Sequence, residues 1–177
     1  MRSVVIICAG LVALMVTASA VSAATTSVGV GAGRGESDSM AYSLNVTQTY
    51  EPLVSNEVMD LSPTAEIGAH VWVPDGDDHS VWGGFLAPGL RFTLNTTAPL
   101  RPYLEGSVGG AVNSDDRFRS RKLGSHALFR SRGAVGVSFG DEFRHRVQGD
   151  YVHYSTWGLT KNNDGHGTWG VSYGYSF

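Results

Sequence analysis

Beyond an apolar opening stretch, the chain alternates between apolar and polar residues in successive runs, and alternation of period two is the mark of strands with one wet and one apolar face. Eight such runs are predicted: 25–33, 40–50, 63–73, 80–94, 100–112, 125–139, 142–157 and 167–177. In the third, Ile67, Ala69, Val71 and Val73 oppose Glu66, Gly68, His70 and Trp72. In the sixth, Phe129, Val135, Val137 and Phe139 oppose Arg130 and Arg132. Turn-forming clusters such as Pro74-Asp75-Gly76-Asp77-Asp78 and Asn162-Asn163-Asp164-Gly165 separate the runs. No run after Ala24 carries a sustained helical period. The pattern predicts an all-β chain: an eight-stranded antiparallel transmembrane β-barrel.

The opening stretch reads differently. Met1-Arg2-Ser3 is a short basic start, Val4 to Val16 is almost wholly apolar, and Ala18 to Ala24 are small residues. This is the layout of a secretory signal, with cleavage expected after Ala23, and with Ala20 and Ala24 as rival sites. The apolar run falls short of the ~20 residues a helix needs to span a bilayer. The domain organisation expected is therefore a signal peptide over 1–23 and a barrel over 24–177. Cys8, the single cysteine, lies within the signal. The mature chain then has no thiol for a disulfide, a metal or nucleophilic catalysis.

Composition supports a barrel. Among 177 residues, 23 are glycine and 10% are aromatic, and the mean hydropathy is −0.07. Near-zero hydropathy is foreign to a helical membrane protein but natural where outward apolar residues alternate with inward polar ones. The net charge of −3 offers no basic excess for nucleic acid. An even strand number puts both termini on the periplasmic side, with the first, third, fifth and seventh connections outside. Glu105, Arg130, Arg132, Arg144 and Arg146 are expected to fill the narrow lumen with ion pairs. At the C-terminus, Trp169, Val171, Tyr173, Tyr175 and Phe177 hold every second position against Gly170, Ser172, Gly174 and Ser176. That stripe suits a lipid-facing strand with interfacial aromatics. It also resembles the C-terminal segment by which outer-membrane proteins are recognised by their assembly machinery.

The seventh run carries the candidate chemistry. His153 and Ser155 are two residues apart and share a face. The opposite face carries Arg144, Arg146, Gln148 and Asp150, so His153 and Ser155 are expected to point outward, towards lipid. Polar residues there carry a cost. A histidine beside a serine is the base–nucleophile pair that ester cleavage needs. The remaining histidines share no metal-ligand spacing. Asp75, Asp77 and Asp78 lack the later glutamate of a calcium loop. Arg117, Arg119, Arg121 and Lys122 form a basic loop, either solvated or able to hold phosphates through charge-assisted hydrogen bonds.

His153-Tyr154-Ser155, Gly158-Leu159, Asn163-Asp164-Gly165 and the aromatic alternating end resemble the PagL family of outer-membrane lipid A 3-O-deacylases. Upstream, Arg101-Pro102-Tyr103-Leu104-Glu105-Gly106 and Ala134 to Gly140 also look like that family. The resemblance implies a barrel with its active site on the outer wall, acting on lipid A of lipopolysaccharide without cofactor or metal. It assigns the nucleophile to Ser155, the base to His153 and an oxyanion-hole amide to Asn163. Two positions depart from the family pattern. A second family asparagine is here Thr156, and the glutamate that orients the histidine falls on Gly167. Asp164 is the nearest carboxylate in the chain to stand in for it, and a glutamate restored at 167 is expected to raise activity. The alternative is a non-catalytic small barrel of the opacity or OmpW-like kind, structural or adhesive, including a degenerate deacylase without its acid.

Overall fold

The alternation closes into a wall. The computed structural model describes residues 23–76 and 78–177. The signal-peptide expectation lies outside the described residues apart from its last position. Eleven strands run in chain order: β1 Ala23–Gly35, β2 Ser39–Tyr50, β3 Val54–Ser55, β4 Met59–Pro74, β5 Val81–Leu94, β6 Leu100–Asn113, β7 Arg117–Phe118, β8 Arg121–Lys122, β9 Ala127–Phe139, β10 His145–Ser155 and β11 His166–Ser176. The eight long ones pair antiparallel with their neighbours in the order β1, β2, β4, β5, β6, β9, β10, β11. β11 then returns to β1, with Val28 opposite Tyr175 and Gly35 opposite Thr168. The result is a closed eight-stranded antiparallel β-barrel, which leaves no lateral sheet edge unpaired. No helix among the described residues is long and apolar enough to cross a membrane.

The two faces of the wall separate as the alternation predicts. Val30, Leu86, Leu104, Val108, Val135, Trp169 and Val171 stand exposed on the outside. Ser62, Thr64, Glu66, Ser107, Arg130 and Arg132 are buried within. A lumen of eight strands is just wide enough for side chains to fill it. Glu105 holds Arg91 at 2.5 Å and Arg132 at 2.6 Å, and Glu66 holds Arg130 at 3.0 Å. Mutual pairing is what allows these charges to be buried at all. Arg144 departs from the expected plug. Gly140, with φ of 78°, and the 3-10 turn Asp141–Phe143 delay the start of β10 to His145. Arg144 therefore lies outside the wall, 45% exposed, and pairs with Glu142.

The loop-rich end of the barrel is closed by aromatic packing. Trp72 lies 5.0 Å from His70 and 5.0 Å from Tyr154, ring centre to ring centre. The β7–β8 hairpin folds over this end and buries Phe118 and Leu123 completely. The basic loop is thus a built lid. Arg119 donates to the carbonyls of Ser37 and Asp38 and pairs with Asp78. Arg121 donates to the carbonyls of Asp164 and Gly165.

Candidate active site

β10 alternates along its length, with Arg146, Val152 and Tyr154 buried and His153 and Ser155 half-exposed on the outer wall. Both residues of the candidate pair therefore face outward, because Val152 and Tyr154 between and beside them are drawn into the lumen packing. Cross-strand register builds rows along the wall. His153 stands opposite Gly167 of β11 on one side and Ser131 of β9 on the other. Ser155 stands opposite Phe129, which in turn faces Gly110 of β6.

Beyond Ser155 the chain turns sharply. Trp157 and Gly158 take φ of 54° and 80°, and Leu159 donates its N–H to the Thr156 carbonyl at 3.0 Å. The turn brings Asn163 back to the strand end, where its Oδ1 accepts the Thr156 N–H at 3.1 Å. That bond fixes the amide, so its Nδ2, with two donors, lies at the residue following Ser155. The Ser155 hydroxyl oxygen accepts the N–H of Trp157 at 3.4 Å. The His153 ring stacks loosely on Tyr151, 6.4 Å between centres with 20° between planes, and makes no hydrogen bond to Ser155. Its Cε1–Nε2 edge faces Gly165, where a Cβ would come within 2.9 Å of Cε1 and 3.3 Å of Nε2.

Asp164 is occupied elsewhere. Its carboxylate accepts the backbone N–H of Lys122 at 2.8 Å, and its own N–H donates to the Lys122 carbonyl at 2.9 Å. It ties the loop to the β7–β8 lid and makes no bond to His153. A different carboxylate lies beside Gly167, the residue opposite His153, without bonding to His153 itself. Glu36, just past the end of β1, donates its N–H to the Gly167 carbonyl at 3.0 Å and accepts the Gly167 N–H on Oε2 at 3.2 Å. The Tyr151 hydroxyl donates to Glu36 Oε1 at 3.3 Å, and Arg121 pairs with Oε2 at 3.3 Å. Neither Glu36 nor Ser131 was singled out in the sequence. An outward serine in an otherwise apolar face was the available signal for Ser131. None was available for Glu36. Among the described residues no three His, Cys, Asp or Glu side chains converge to hold a metal ion.

An apolar groove of about 800 Å³ opens on the wall beside this turn, lined among others by Leu86, Gly110, Phe129, Thr156 and Leu159. The outer wall of this small barrel thus carries His153 and Ser155 on one face, with the Asn163 amide bonded to the next residue and an apolar groove alongside. The family model described as lipid A 3-O-deacylase (PagL) matches residues 39–176, and the chain belongs to that family. It is a protein of the bacterial outer membrane. Among solved structures it is similar in fold to the outer membrane enzyme PagL, with a TM-score of 0.76 and 22% identity over 84% of this chain and 98% of that one. Neisserial surface protein A follows with a TM-score of 0.58 and 14% identity, covering 86% and 96%. The N-terminal barrel domain of Pseudomonas aeruginosa OprF gives 0.51 and 14%, covering 86% and 97%. Comparison with curated proteins found no match.

Proposed function

We propose that this protein is an outer-leaflet esterase that releases the ester-linked 3-hydroxyacyl chain from the 3 position of lipid A. The observation that carries this reading is the grouping of His153, Ser155 and the anchored Asn163 amide on the lipid-facing wall, within the segment matched to the deacylase family. Ser155 is the nucleophile. Rotation of its side chain frees the hydroxyl from the Trp157 N–H, and His153 accepts its proton as the oxygen attacks the ester carbonyl. Catalytic hydrogen bonds of this kind are often long or unformed before substrate binds. Asn163 Nδ2 donates to the developing oxyanion. Collapse passes the proton from His153 to the sugar oxygen, leaving an acyl group on Ser155. Water, deprotonated by His153, then releases the 3-hydroxy fatty acid. No step calls for metal or cofactor.

Mass spectrometry of lipid A from cells expressing the wild-type chain or Ser155→Ala tests the proposal. Wild type should lose one 3-hydroxyacyl chain per lipid A, and the variant none. The second reading, a barrel that no longer hydrolyses, draws on one observation: glycine stands at 167, opposite His153. Intact lipid A beside correctly folded wild-type protein would favour it.

A further inference from the structure

A serine–histidine pair works well only when a third group holds the imidazole and balances its charge once it is protonated. On the wall, the position suited to that task is 167, directly opposite His153 across the β10–β11 ladder. Gly167 has no side chain to offer. The space its side chain would fill is nevertheless taken. A Cβ built on Gly167 would lie 2.5 Å from Glu36 Oε1 and 2.8 Å from the Glu36 carboxyl carbon. The Glu36 carboxylate thus stands above Gly167, one strand spacing from His153.

The chain delivers it there by barrel closure. Gly35 pairs with Thr168, and Glu36 continues that ladder by one residue to Gly167. Even-numbered β1 residues such as Val30 face outward, and Glu36 is exposed in the same sense. Glycine at 167 is what lets a side chain from β1 lie across β11 towards β10. Arg121, the Tyr151 hydroxyl and the Gly167 N–H fix the carboxylate from three sides.

We infer that Glu36, reaching across Gly167 from the end of β1, is the positioning acid of His153. This rests on the roles of Ser155 and His153 proposed above. The His153 Cε1–Nε2 edge already faces the Gly165 end of the site, which leaves Nδ1–H as the group to donate to Glu36. The carboxylate then steadies the imidazolium formed when the Ser155 proton is transferred, and itself stays ionised. The acid has changed strand while keeping its place in space.

The test measures 3-hydroxy fatty acid release from hexa-acylated lipid A in mixed micelles by the refolded barrel. Folding is checked by heat-modifiable gel migration. Glu36→Gln keeps the side-chain length and one of the two acceptor oxygens that Tyr151 and Gly167 use, and removes the charge. It should lower kcat by about 10²- to 10⁴-fold, the upper figure being the loss when a triad acid is made an amide, with KM little changed. Gly167→Glu added to Glu36→Ala places a carboxylate in the same space from β11 and should recover activity. Full activity in folded Glu36→Gln, or no recovery in the folded double variant, overturns the inference while the deacylase reading stands. A folded wild type that leaves lipid A intact fails the deacylase reading itself, and the inference with it.

Discussion

Asn163 accepts the backbone N–H of Thr156 through Oδ1 at 3.1 Å, and so a loop seven residues downstream is locked to the end of the strand that carries Ser155. The bond orients the amide as well as the loop. Asn163→Ala should therefore lower kcat by about 10²- to 10³-fold, the usual loss for one oxyanion donor. Asn163→Asp retains the acceptor for Thr156 but replaces the donor with a second acceptor, so it should be at least as poor. Steady-state kinetics on lipid A, with the folded fraction read from heat-modifiable migration, checks both. Equal activity in Asn163→Asp and wild type would remove the amide from the mechanism.

Two serines flank His153, and they should not be equivalent. Ser131 faces it across the β9–β10 ladder, while Ser155 lies two residues along the same strand. Only Ser155 adjoins the Asn163 amide and the apolar groove at the turn. Ser131→Ala should keep activity within about twofold of wild type, whereas Ser155→Ala should lose it entirely. A covalent fluorophosphonate label mapped by peptide mass spectrometry should fall on Ser155. Labelling at Ser131 would reverse the assignment.

The pattern of alternation made most of this wall legible. It separated the faces of β4, β5, β6 and β9, and it placed His153 and Ser155 outward because their neighbours had to point in. What alternation cannot carry is where strands end. A left-handed glycine and one turn of 3-10 helix moved Arg144 from the expected lumen to the surface. Nor does it reveal partners brought together by closure. Glu36 and Gly167 are 131 residues apart, and only the pairing of first and last strands makes them neighbours. The lid was not legible: the basic run Arg117 to Lys122 reads as a solvated or phosphate-holding loop, and the burial of Phe118 and Leu123 shows only in the structure.

Glu105 is the hub of the lumen charges, bonded to both Arg91 and Arg132. Glu105→Ala leaves two buried guanidinium groups short of a counter-charge. The barrel should lose about 3–5 kcal/mol, the scale for removing one partner of a buried ion pair. Urea unfolding of protein refolded in phospholipid vesicles measures this. A loss below about 1 kcal/mol, the range of exposed pairs, would mean that water enters the lumen and screens the charges.

Phe177 closes the outward aromatic stripe. It is 74% exposed, its ring meets Tyr175 edge-on at 5.4 Å, and its N–H donates to the Thr26 carbonyl at 2.9 Å. The backbone bond survives any substitution but proline, so Phe177→Asp leaves it in place while replacing the ring by a charge. We propose that this end is read by the outer-membrane assembly machinery. Surface-exposed protein should then drop in cells, while the purified variant still refolds in detergent. Equal surface yield for variant and wild type would leave the ring as an interfacial anchor alone.

The groove beside Ser155 is shaped by what Gly110 lacks. A Cβ added there would meet nothing within 4 Å, and its row runs from Leu86 through Gly110 and Phe129 to Ser155. If the acyl chain of the substrate lies along this row, filling it should cost binding without straining the wall. Gly110→Leu should lower kcat/KM about 10-fold or more, the scale on which an apolar pocket senses one or two methylenes. The loss should appear mainly in KM, since the groups around Ser155 are untouched. Shorter acyl chains should suffer less than longer ones. Val30→Leu, on the far side of the wall and also exposed to lipid, is the control and should behave as wild type. Competition between lipid A species of different acyl length, followed by mass spectrometry, gives both numbers from one reaction. Unchanged kcat/KM for every chain length in Gly110→Leu would place the acyl chain elsewhere on the wall, beginning with the second open groove of about 780 Å³ lined by Leu90, Val108 and Tyr151.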